Sequence, residues 1–100
     1  MSLSKTRSSF YRRLYVAHLV ATGSASVPAI TAATGMPRRT AQDTIGALGE
    51  LDILCEFEPL AGERHNIGVY RIRDWGPIDP DWVASHAERL RHVLGYPPRP

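Results

Sequence analysis

Three side chains on one short segment have the chemistry to read an ordered surface of hydrogen-bonding groups. They are Arg38, Arg39 and Gln42. A guanidinium can donate two bonds to the O6 and N7 of guanine, and a carboxamide can pair with the N6 and N7 of adenine. At 100° per residue a helix beginning at Pro37 puts Arg39, Gln42, Asp43, Gly46 and Glu50 on one side, with Arg38 at the edge near Gln42. Ala41, Thr44, Ile45, Leu48 and Leu51 fall on the opposite side, where they can back the polar face with a core. Asp43 is the one acid near that face.

The rest of the chain offers little other chemistry. Spacing makes no metal site of the four histidines: His86 and His92 point in different directions on a helix, and His18 and His65 lie elsewhere. No catalytic nucleophile–base set, paired carboxylates or phosphate-cradling loop stands out, so neither an enzyme nor a cofactor is expected. Cys55 is the only cysteine. It excludes an internal disulfide and is expected to be a buried thiol at the start of a strand. No apolar run approaches the ~20 residues that a bilayer requires, and no signal-peptide core is visible. The expectation is a cytoplasmic protein.

One hundred residues with a net charge of +2 fit a single domain. Charge is unevenly spread. Residues 1–45 hold Lys5, Arg7, Arg12, Arg13, Arg38 and Arg39 against Asp43, whereas residues 46–100 hold six arginines against nine acids. The asymmetry points to an anionic partner on the N-terminal half.

Several elements must position the reading face. A helix is expected from about Thr6 to Ala21, capped by Ser4 or Thr6. It is apolar on nearly all sides from Leu14 to Ala21, with only His18 polar. Ser26 caps a second helix from Val27 to Thr34, and Gly35 ends it with a positive φ. A third runs from Pro37 to about Leu51, with Gly46 and Gly49 each costing it about 1 kcal/mol relative to Ala. Ile53–Glu58 and Ile67–Arg73 read as strands joined by a polar turn, a β-hairpin. Trp75, in the turn that follows, is expected to cover the sheet. Asp79 and Pro80 open a last helix, about 79–94, stopped by Gly95, and residues 97–100 form a flexible tail.

The order helix, helix, helix, strand, turn, strand, helix resembles a winged helix-turn-helix domain of bacterial transcriptional regulators. Ile30, Ala32, Thr34, Gly35, Met36, Arg38, Arg39, Thr40, Gln42, Ile45, Leu48, Leu51, Ile53 and Leu54 carry the resemblance. Pro37 departs from it, standing where a Ser or Thr cap is usual. The resemblance implies a mainly α fold with a small β-hairpin (α+β), residues 1–96 forming the domain. It also implies sequence-specific binding of double-stranded DNA. Arg38, Arg39, Gln42 and Asp43 would face the major groove, Arg64, His65 and Asn66 would lie on the wing, and Arg12 would lie near the backbone. A homodimer is expected through helix 1 and the last helix, using Tyr11, Tyr15, His18, Val83, Leu90 and Leu94. The alternative is that the last helix folds back onto helix 1 of its own chain. A winged helix that binds protein instead of DNA is the rival function, favoured by the acids Asp43, Glu50 and Glu63.

Overall fold

The computed structural model describes residues 3–60 and 68–98. In chain order it forms α1 (Lys5–Ala21), α2 (Val27–Thr34), α3 (Arg38–Gly46), a 3₁₀ turn (Leu48–Leu51), β1 (Leu54–Pro59), β2 (Gly68–Asp74) and α4 (Pro80–Leu94). Four helices and an antiparallel two-stranded hairpin give the mainly helical α+β fold expected from the sequence.

Local chemistry sets the helix ends. Ser4 Oγ accepts from the Arg7 N–H at the start of α1, and Ser26 Oγ accepts from the Ala29 N–H at the start of α2. Asp79 accepts from the Asp81 N–H and caps α4. Gly35 closes α2 in the left-handed region at φ 80°, where a Cβ would be strained.

The third helix is shorter than its apolar spacing predicts. It stops at Gly46, and the chain tightens at Ala47 into the 3₁₀ turn. Two glycines three residues apart weaken a continuous helix there. The tighter turn brings Leu48, fully buried, onto Ala17 and Ile53 in a second small core beneath α1. Asp52 then takes the left-handed conformation, φ 61°. Gly76 packs against the Asp52 backbone so closely that a Cβ would collide with it. That contact holds the turn after β2 against the end of the 3₁₀ segment.

The hairpin has a charged face and an apolar face. Arg71 Nε donates to Glu58 at 3.0 Å, and Arg73 donates to Glu56 at 3.1 Å and to Glu58 at 2.8 Å. The Arg71 hydrogen bond, reinforced by Arg73, holds the Glu58 carboxyl below the usual carboxylate range. On the other face Cys55 pairs with Ile72 and Phe57 with Tyr70. Cys55 and Ile72 are half-buried and pack on the core with Trp75. Tyr70 N–H donates to the Ala25 carbonyl at 2.8 Å, which ties β2 to the loop between α1 and α2.

α1 is the centre of the molecule. Leu14, Tyr15, Val16, Ala17, Leu19 and Val20 are all buried, and α4, α3, β2 and α2 each pack against the helix. α4 lies along it with Val83 and Leu90 at 0% and 1% exposure. After Gly95 the chain turns back, so that the Tyr96 ring meets Tyr15 at 5.7 Å between centroids. Arg91 secures this return by donating to the Tyr96 carbonyl at 2.7 Å.

This packing corrects the interface drawn from the sequence. Tyr15, Val83 and Leu90 are buried inside their own chain and offer no surface to a second copy. Tyr11 and Leu94 are half-buried against the same core, and His18 is half-buried with its ring beside Tyr15. The last helix folds back onto helix 1, the alternative that the two apolar stripes also allowed. Leu90→Ala should therefore cost about 2–5 kcal/mol of folding stability, read from urea unfolding. Leu90→Glu should yield unfolded protein, not a folded monomer.

Candidate nucleic-acid interface

The turn from Thr34 to Pro37 fixes how α3 is presented. The Thr34 hydroxyl donates to the Ile30 carbonyl at 2.8 Å and accepts from the Met36 N–H at 3.1 Å. Both bonds are buried, and Met36 plugs the core beneath them. Pro37 occupies the N-cap position with no side-chain cap bond. Its carbonyl accepts from the Ala41 N–H at 3.0 Å, so the helix begins cleanly at Arg38.

From that start, Ala41, Thr44 and Ile45 face inward and are buried. Arg38, Arg39, Gln42 and Asp43 are exposed, as their helical spacing requires. The Thr44 hydroxyl donates to the Thr40 carbonyl at 2.7 Å, so a polar side chain turns inward without an unpaired hydroxyl. The four reading candidates thus sit on the outer side of a helix anchored along its inner side.

The structure adds a feature that sequence spacing does not reveal. α1 and α3 meet in an open, polar crease of about 220 Å³, lined by Ser9, Arg12, Arg13, Thr40, Asp43, Thr44 and Ala47. Arg12 and Arg13 stand across this crease from Asp43. Asp43, the one acid near the outer face of α3, therefore lines a basic crease beside that face. Arg12 also bonds to Tyr96, opposing the upward shift that burial imposes on the phenol. Ser9 and Thr40 join the candidates here. The i, i+4 relation of Ser9 and Arg13 hints at Ser9, whereas Thr40 joins only through the long-range approach of α3.

A second feature lies between α3 and the hairpin. An uncharged slot of about 350 Å³ is lined by Gln42, Ile45, Gly46, Gly49, Ile53, Leu54, Cys55 and Tyr70. A Cβ on Gly46 or Gly49 would meet nothing within 4 Å, so packing inside the chain does not require either glycine. Leu54 and Phe57 stand at 51% and 39% exposure on the hairpin. Cys55, half-buried at the slot's floor, has its thiol pKa raised by burial and then by Glu56, which disfavours the reactive thiolate. Arg64, His65 and Asn66, expected on the wing, lie outside the described residues.

Among the described residues no group of three or more His, Cys, Asp or Glu is placed to hold a metal ion, and no helix is long and apolar enough to cross a membrane.

Comparison with known proteins agrees with this architecture. The family model described as winged helix-turn helix matches residues 5–94. A solved structure, the crystal structure of a DUF2131 family protein from Shewanella amazonensis SB2B, is similar over 95% of this chain and 91% of that one, with 42% sequence identity and a TM-score of 0.86. No curated protein matches. With two helices joined by the Thr34–Pro37 turn, a hairpin beyond them, and a family match spanning α1 through α4, this chain belongs to the winged helix-turn helix family.

Proposed function

We propose that the domain binds double-stranded DNA in a sequence-specific manner and acts as a homodimeric transcriptional regulator in the bacterial cytoplasm. The observation that carries this reading is the outer face of α3. Arg38, Arg39 and Gln42 are exposed there, while Ala41, Thr44 and Ile45 on the inner face are buried. A helix held this way can enter a major groove without disturbing the core. Arg12 and Arg13 in the adjoining crease supply positive charge for the flanking phosphates. Gln42 faces adenine, and Arg38 and Arg39 face guanine, in this reading. Arg64, His65 and Asn66 complete it as wing contacts to phosphate or the minor groove.

A second reading, binding of a protein partner, is favoured by the uncharged slot between α3 and the hairpin and by the exposed Leu54 and Phe57. Salt separates the two. DNA binding that neutralises several phosphates weakens steeply as salt rises. Selection of the best site from a random duplex pool, then titration of that site across salt concentrations, is the decisive measurement. No duplex binding at low salt would leave the protein-binding reading in its place.

Three variants sharpen the test. Arg39→Ala should cost about 1–3 kcal/mol on the selected site and relax base preference at one position; unchanged affinity and preference in a folded variant would remove α3 as the reader. Arg64→Ala should weaken selected and random duplexes alike and lower the salt slope by about one unit. An unchanged slope would leave the hairpin turn in solvent. Gly46→Ala should raise thermal stability by about 0.5–1 kcal/mol, because its Cβ enters open space. It should nevertheless weaken binding if a DNA backbone comes against the glycine surface, and equal binding would show that nothing does.

A further inference from the structure

The first turns of α1 and α4 leave an aromatic surface that the fold does not cover. Trp82 is 41% exposed, although the next residue, Val83, is fully buried. Its indole is held in one orientation. The His86 ring stacks on it, with centroids 4.0 Å apart and 13° between planes. The His86 ring is itself fixed, its Nδ1 lying 2.7 Å from the Trp82 carbonyl oxygen.

Two hollows flank this indole, and Phe10 and Trp82 line both. One, of about 260 Å³, is also lined by Leu14, Pro77, Ile78 and the acid Asp79. The other, of about 500 Å³, is also lined by Tyr11, Ser4, Thr6 and the basic Arg7. The apolar centre therefore has an acidic side and a basic side. Among the described residues, none of the ion pairs uses Arg7, Asp79 or Asp81.

We propose that a second copy of this chain docks on this surface. The two chains are related by a two-fold axis near Phe10 and Trp82, with Trp82 of each in the hollow of the other and Arg7 facing the partner's acidic side at Asp79. The charge pattern selects this occupant. A two-fold rotation exchanges the two sides of a patch, so an apolar centre with one acidic and one basic flank is its own complement. The acids oppose a nucleic acid at this position, since Asp79 and Asp81 lie together at the start of α4. Tryptophan and tyrosine are the side chains that most often anchor such contacts. Phe10 and Leu14 project about 100° round α1 from Ser9 and Arg13, so docking here leaves the basic crease and α3 open.

The proposal rests on the homodimer part of the function proposed above and is independent of DNA recognition. Its test contains no DNA. Sedimentation of the full chain from 1 to 200 µM should show reversible dimerisation, weakened by salt. Arg7→Glu, Asp79→Arg and Trp82→Ala, each confirmed as folded by circular dichroism, should weaken it at least tenfold. An equimolar mixture of Arg7→Glu and Asp79→Arg chains should dimerise more tightly than either alone, because the mixed pair restores both opposite-charge contacts. A parent that stays monomeric at 200 µM would overturn the proposal. So would variants that dimerise as the parent does, or a mixture no tighter than its components.

Discussion

The whole arrangement depends on the second half of α1, which has no face for water. From Leu14 to Val20, α1 buries every side chain except the half-buried His18, so it must be wrapped on all sides. Each cover also sets the position of something else. α3 packs against it and presents its outer face on the far side. β2 packs against it and carries the hairpin. α4 lies along it and closes the last exposed flank. A fully buried aliphatic side chain such as Leu14, Leu19 or Leu90 stabilises the fold by roughly 1.5–3 kcal/mol, so a small domain of this kind depends heavily on a handful of such contacts. The small Ala17 is as necessary as the larger residues. It lets Leu48 and Ile53 come close enough to form the second core under the 3₁₀ turn.

That second core shapes the candidate interface. Breaking α3 after Gly46 keeps this helix to the nine residues Arg38–Gly46, and Leu48 in the 3₁₀ turn is fully buried. The exposed face thus holds few apolar side chains where arginines and glutamine stand, and the apolar exposure is displaced to the hairpin at Leu54 and Phe57. The charge is partitioned too. On the outer face of the hairpin, Arg71 and Arg73 are spent on Glu56 and Glu58, whereas no such pair holds Arg38, Arg39 or Arg13 among the described residues. The modest net charge of +2 therefore understates how basic the α1–α3 side is. Positive potential there comes from arginines that outnumber the single acid, Asp43, on that side.

Much of the fold was legible in the chain because it rests on local rules. Ser4, Ser26 and Asp79 cap helices wherever the following residues are helical. Gly35 and Gly95 end them because few other residues accept a positive φ. Alternation at Val69 to Arg73 and helical spacing at Ala41, Thr44 and Ile45 report which face is inward before any partner is known. The exposure of Arg38, Arg39 and Gln42 follows from the same periodicity, and so the polar outer face of α3 was visible from spacing alone.

What the tertiary structure alone decided is how apolar stripes are matched. Periodicity says that α1 and α4 each need a cover, but it does not say whose. Leu90 and Val83 suit a second copy as well as they suit α1, and only the path of the chain through Asp74–Asp79 and back along α1 assigned them to the interior. The crease that gathers Ser9, Arg12, Arg13 and Asp43 is likewise invisible in sequence, because its walls are some 30 residues apart and meet only through α1–α3 packing. The break at Ala47 was hidden for a related reason: Leu48 and Leu51 keep a helical spacing, and the packing of Leu48 on Ala17 is a long-range contact. Sequence determined which faces are apolar and which residues can bond to a base, because those are properties of side chains and backbone periodicity. Which apolar faces meet, and hence which surfaces remain for a partner, is a matter of three-dimensional packing.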